Sequence, residues 1–353
     1  MDDTKTINEP QQLETIETDR QFRVIRFSPD GQQLFGAGYD GTIQRGDLSG
    51  EEPRPQAALK GHRGWAESLL FAPRHNLLLS TDSWGELRAW DLTAALPQPK
   101  WRHETAHDGW IRAASLAENE SLVATAGRDQ MVRVWDAATG KPLHKLKGHK
   151  HEVYAVAIHP DGKSVASCDL FGHLKCWDLK SQACVRESHL EQMHYYERDQ
   201  DVAGVYSLRF HDDGQALLVA GSQPSNTGNV AGIPTMHWVN WASLEIEKTL
   251  QFGESKQGYV YDYAIHPDGY VLVVTSGAPG AGQFICQRLG EDEPFHSSNK
   301  MSNCHSLAFD PATNRCIVAA TNRNSQGNGA VRDKEGNYVG NTSPLTVFDL
   351  PTA

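Results

Sequence analysis

The segment HLEQMH places His189, Glu191 and His194 within six residues, two imidazoles and a carboxylate able to ligate a divalent cation. The spacing is not the HExxH of a helical zinc site, and a third strong ligand would have to come from elsewhere. The segment therefore reads as a polar loop. Cys304 and His305 are adjacent, as a thiolate–imidazole pair might suggest. Neighbours on a strand point to opposite faces, so the two cannot meet without a bulge. SGAPGAG (276–282) is glycine-rich, but no GK[ST] follows it and no helix, so it is not a phosphate loop. KPLHKLKGHKH (141–151) is basic. Lysines on an outermost strand guard an open sheet edge, which suits this stretch better than nucleic-acid binding.

The bulk properties agree. The chain has 353 residues, net charge -11, 39% apolar residues, 31 Gly and 17 Pro. Its mean hydropathy is -0.52 and its pI about 5.8. An acidic chain makes a poor broad surface for DNA, RNA or an anionic membrane. The start, MDDTKTINEPQQ, is polar with no apolar signal core, and no window reaches membrane-span length. Six Cys without a CxxC pair read as reduced thiols in a cytoplasmic protein.

What orders the sequence is a repeat. ELRAWD, MVRVWD and HLKCWD end at Asp91, Asp136 and Asp178. The same slot holds Asp47, Asn240, Arg288 and Asp349, giving seven units. Turns such as FSPDG (27–31), IHPDG (158–162) and IHPDG (265–269) precede the terminal pairs. Pro fixes φ, Asp bonds its own backbone and Gly takes φ > 0. GH at 61–62 and 148–149 and AH at 106–107 mark the entry to the inner strand. Between landmarks lie short alternating runs such as VYAVAIH and SVASC, four strands per unit. A period of about 40–45 residues with four strands and GH…WD marks predicts propeller blades.

These motifs resemble the WD-repeat β-propeller family over nearly the whole chain. The resemblance implies an all-β, seven-bladed propeller of four-stranded antiparallel blades. It also implies a buried hydrogen-bonded His, Ser/Thr, Asp and Trp in each full repeat. Blade three matches with His107, Thr125, Asp129 and Trp135. In blades two and four the Asp comes two residues early. Their sets are His62, Ser80, Asp82 and Trp90, and His149, Ser167, Asp169 and Trp177, with an altered Asp contact expected. The chain stops after a third strand, and LETIET (13–18) is expected to supply the missing fourth strand, closing the ring. Residues 1–11 are expected to be a disordered tail, and 12–353 a single propeller.

Loop lengths are uneven. Blade five carries GSQPSNTGNVAGIPT (221–235), blade six SGAPGAG, blade seven a stretch over 321–343, and the connection into blade five runs over 187–204. All four fall on one face and one half of the ring; the inserts resemble those of a bacterial branch of the family. Register places Arg23, Glu67, Arg112, Tyr154, Tyr206, Tyr261 and His305 at the central rim of that face, with Trp65, Trp110 and Tyr259 two residues earlier. Asp262, one residue off the rim, is expected to face away. Aromatics and Arg anchor interfaces, and the resemblance implies peptide binding at this rim. The expected function is a non-catalytic protein- or peptide-binding scaffold without cofactor or metal, a monomer or a subunit of a larger complex. The alternative is a propeller hydrolase or oxidoreductase with a metal or cofactor at the mouth.

Overall fold

The computed structural model describes residues 9–50, 53–197, 200–225, 232–278, 280–298, 301–322, 331–332, 338–339 and 341–352. Seven four-stranded antiparallel sheets form a closed propeller, as the repeat predicts. Two small two-stranded sheets are appended to it. The innermost strands are Phe22–Phe27, Ala66–Ala72, Ile111–Leu116, Val153–Ile158, Val205–Phe210, Tyr259–His266 and Cys304–Asp310.

A blade needs a neighbour on each face, and the core shows it. The apolar residues fall into seven clusters, each shared by two adjacent blades. In blade four, Val153, Val156 and Ile158 pack toward blade three, while Ala155, Ala157 and Cys168 pack toward blade five. Strict alternation would not put 153 and 156 on one face. A β-bulge at Tyr154 adds one residue and resets the parity.

The last blade is closed by the N-terminus. Gln11–Ile16 pairs antiparallel with Leu345–Asp349. The strand starts two residues earlier than the 13–18 expected and ends at Ile16; beyond its end the Thr18 hydroxyl donates to the carbonyls of Ser343 and Arg20. Most of the expected tail, residues 1–8, lies outside the described residues, and Gln11 is already strand.

Two insert expectations are corrected. In blade five, Ala216–Pro224 and Gly232–Asn240 stay paired out to Pro224 and Gly232. Much of 221–235 is therefore a hairpin extension of these two strands; 226–231 lie outside the described residues. The connection into blade five holds a 3-10 turn, Glu191–Met193, and a hairpin of His194–Glu197 with Gln200–Ala203. In blade seven's insert, Val331–Arg332 pairs with Tyr338–Val339 and most of the remainder lies outside the described residues.

The three buried sets form. The Trp90, Trp135 and Trp177 indoles donate to Ser80, Thr125 and Ser167 at 2.8, 2.9 and 2.8 Å. With the hydroxyl oxygen thus accepting, its proton is free for His Nε2, at 2.6, 2.8 and 2.7 Å. That leaves the His proton on Nδ1, facing the carboxylate. Asp129 meets His107 at 2.8 Å; the early aspartates Asp82 and Asp169 still reach His62 and His149, at 3.3 and 3.2 Å. The Asp after each Trp has another task. Asp91, Asp136 and Asp178 each accept from the Thr or Ser that turns the chain into the fourth strand. The Gly of GH is demanded locally: Gly148 sits at φ 153, and a Cβ there would lie 3.1 Å from the Trp177 ring.

Candidate functional site

Every rim residue predicted from register is the extra residue of a β-bulge. The pairing slips at Arg23, Glu67, Arg112, Tyr154, Tyr206, Tyr261 and His305, the same place in all seven inner strands. A bulge bends the strand and re-aims its side chain. Seven of them turn seven side chains into one channel mouth, and all seven line a central cavity of about 520 Å³.

The mouth is engaged with itself. Arg23 Nε donates to Glu67, and Arg23 Nη2 donates to the Tyr206 hydroxyl at 3.3 Å. Arg112 donates to Glu152 at 2.9 Å and stacks 3.7 Å from the Trp110 ring centroid and 4.7 Å from that of Tyr154. Tyr206 and Tyr261 pack with centroids 4.6 Å apart, and Tyr259 and His305 close on Tyr261. The sequence expectation of open tyrosine anchors thus meets half-buried rings in a channel neck. Trp65 is the rim aromatic that stays open, 42% exposed, edge-on to both Trp110 and Tyr39.

Burial sets the electrostatics. It pushes the Glu67 carboxyl up, against the pull of Arg23. It drives His305 down to about 4, with Arg23 adding to the effect, so this imidazole is neutral near pH 7; its Nε2 lies 2.6 Å from the Thr321 hydroxyl. Burial also raises Tyr259 to about 12 and Tyr206 further. These groups can offer hydrogen bonds, ring faces and an arginine charge. They are poorly placed to exchange protons at neutral pH.

Asp262 corrects the sequence expectation. It does not face away: past the bulge at Tyr261 its carboxylate enters the channel one layer below the mouth. There it accepts from Arg26 at 2.7 Å, Arg209 at 2.9 Å, the Ser306 hydroxyl at 2.7 Å and the Leu307 N–H at 3.2 Å. One carboxylate in blade six thereby holds blades one, five and seven. Burial opposes its ionisation, but Arg26 and Arg209 hold its carboxyl below the ordinary range.

The chemistry weighed from sequence does not assemble. His189 bonds the Phe171 carbonyl and His194 bonds Asp201, so the HLEQMH donors are turned to separate partners. Cys304 and His305 do flank a bulge, yet the thiol is buried in the core between blades six and seven, which pushes its pKa up. Among the described residues one set of three donors converges, His62, Asp82 and Glu86, and it belongs to the buried bonding set of blade two.

That set carries a pH dependence. Burial pushes Asp82 up, but bonds from His62 and from the N–H groups of Glu86 and Trp84 outweigh it and bring the carboxyl to about 2, below the ordinary 3.8. A lowered folded value means stability that is whole above about pH 4 and is lost as pH falls toward 2. Between pH 4 and pH 2 the wild type is expected to lose about 2 kcal/mol more than Asp82→Asn. Urea midpoints at the two pH values measure this, and equal losses would show that Asp82 is not the linked group.

Sequence comparison accords with the bonding sets. A profile described as WD domain, G-beta repeat matches residues 14–44, 53–91, 100–136 and 140–178. The first four blades of the propeller thus match WD40 repeats. The four matches run from the closing N-terminal strand to the third strand of blade four. The chain is similar to Nuclear distribution protein PAC1 of Arthroderma otae, 28% identical over 199 residues, covering 48% of this chain and 42% of that protein. It is similar to Nuclear distribution protein nudF of Emericella nidulans, 27% identical over 165 residues, 47% of this chain and 31% of that protein. Apoptotic protease-activating factor 1 of Rattus norvegicus is 26% identical over 157 residues, 44% of this chain and 12% of that protein. The chain spans less than half the length of these relatives. Among the described residues no helix is long and apolar enough to cross a membrane.

Sequence reasoning missed Trp84 as a surface group. It lies in the second-to-third strand turn of blade two and is 61% exposed. Its signal was present: a Trp in the slot where the family carries the buried Asp.

Proposed function

We propose that this propeller is a non-catalytic scaffold, cytoplasmic, that docks a protein or peptide segment on the face bearing the channel mouth. The observation that carries the reading is the set of seven aligned bulges, which spends one distorted position per blade to aim Arg, Glu, Tyr and His side chains at one opening. Bulges of this kind re-aim side chains for use. Glu67 at the mouth and Asp262 below it are committed to arginines, which argues against acid–base work by these two. Relatives named for nuclear distribution and for apoptotic protease activation share these repeats, and such differing names fit a docking platform better than one shared reaction. The likeness of the inserts to a bacterial branch has no support from these fungal and rat relatives.

The test is affinity capture from native lysate with three proteins: wild type, Tyr154→Ala at the mouth, and Val185→Lys on the outer strand of blade four. A partner lost with the mouth variant and kept with Val185→Lys is expected, with melting temperatures of all three close together. A partner lost only with Val185→Lys would move the function to the circumference. Stoichiometric metal or a coloured cofactor in the purified protein would favour an enzyme instead.

A further inference from the structure

On the docking face, a groove of about 330 Å³ lies outside the channel mouth, over blades one to three. Tyr39, Asp40, Arg63, Trp65, Trp84 and Trp110 line it. The long loops occupy the other half of the ring. Two of its indoles stand in solvent, Trp65 and Trp84, with no core to fill. Exposed indoles are costly to solubility and are the side chains most enriched at the energetic centre of interfaces.

The backbones that carry the two indoles are tied together before any partner arrives. The Ser83 N–H donates to the Trp65 carbonyl at 2.9 Å, and the Trp65 N–H donates to the Ser83 hydroxyl at 2.9 Å. This pair of bonds ties the loop entering blade two to the turn that carries Trp84. Gly64 lets the turn approach: a Cβ there would come within 2.5 Å of both Ser83 Oγ and Trp84 Cδ1. A rigid aromatic platform loses little entropy on binding.

Charge selects the occupant. The face of Trp110 is already covered by the Arg112 guanidinium, 3.7 Å from the ring centroid, and Arg63 stands 5.8 Å from the ring of Trp84. A cationic side chain brought to these rings would meet like charge. Asp40 pairs with Arg20 at 3.0 Å, a guanidinium it shares with Asp19. Arg63, exposed, has no carboxylate partner among the described residues; its bond is a 3.4 Å one to the Glu104 carbonyl. The groove charge left without an ionic partner among the described residues is therefore that of Arg63, set beside two open indoles.

The geometry points to an extended peptide segment as the ligand of this groove: a proline or aromatic ring lies against Trp65 and Trp84, and an adjacent Asp or Glu pairs with Arg63. This rests on the docking reading above and assigns its partner chemistry and its half of the face. Proline and aromatic rings are the groups that aromatic-lined grooves take from extended peptides, and an Arg–carboxylate pair at the rim adds specificity.

The test is selection of a phage-displayed random dodecapeptide library on the whole protein, beside Trp84→Ser and Arg63→Glu. Both positions are exposed, so the fold is retained. Wild type is expected to enrich a ring next to Asp or Glu. The best peptide is expected to bind Trp84→Ser at least about tenfold more weakly, and Arg63→Glu is expected to turn the preference to Lys or Arg flanks. Peptides indifferent to both substitutions, or flanked by Lys or Arg on the wild type, would overturn the groove while leaving peptide docking in place. No enrichment on any of the three proteins would sink both.

Discussion

Trp135→Ala is expected to destabilise the protein by about 3–5 kcal/mol, the range for removing a buried Trp from a close-packed core. Trp135 is buried in the cluster shared by blades two and three, beside Leu77, Leu79 and Val123, and its ring lies 4.8 Å from that of His103 on blade two's outer strand. Truncation leaves a cavity at a blade–blade interface that seven-fold closure does not allow to collapse. It also removes the donor to Thr125, at the start of the chain Thr125–His107–Asp129. Trp135→Phe separates the two effects: it keeps most of the volume and loses the hydrogen bond, so it should cost about 1–2 kcal/mol more than a pure packing change. Urea unfolding of the three proteins measures the difference. A midpoint for Trp135→Ala within error of wild type would contradict the buried assignment.

Asp262→Ala is expected to cost about 3 kcal/mol, at the low end for breaking a buried ion pair. The carboxylate itself is buried, but its arginines are partly hydrated, with side chains 29% and 41% exposed for Arg26 and Arg209, so water covers part of the loss. What distinguishes this site from a local pair is reach. Arg26 and Asp262 are 236 residues apart and sit in blades one and six, with blade seven between them. The substitution should therefore loosen the closure of the ring as well as one blade, and a double-mutant cycle with Arg26→Ala should show strong coupling. Additive losses in that cycle would mean that the two blades are held by packing alone.

The two substitutions also mark how far the sequence could be read. Trp135 and its partners were legible through the resemblance to the WD-repeat family, whose set of four lies within one repeat. The seven rim positions were legible from the repeat as well: each precedes the turn of its own unit by the same count. Asp262 was misread, since alternation past Tyr261 fails where a bulge adds a residue, and a bulge leaves no mark on residue type. The blade five insert was misread as loop because Gly, Ser and Pro at 221–224 suggest a turn, while tertiary pairing with Gly232–Thr235 keeps the strand going.

The residues alone determined the repeat, its four-stranded unit and the use of the N-terminus to close the last blade, and the family resemblance added the three bonding sets. These rest on contacts within about 45 residues, or on the arithmetic of one missing strand. Tertiary structure decided what faces what across the ring. It brought Arg26 to Asp262, turned the tyrosines onto one another and Arg23, and left Trp65 and Trp84 exposed along one groove. Those meetings depend on the number of blades, the diameter of the channel and the seven bulges, which are properties of the closed ring and not of any one repeat.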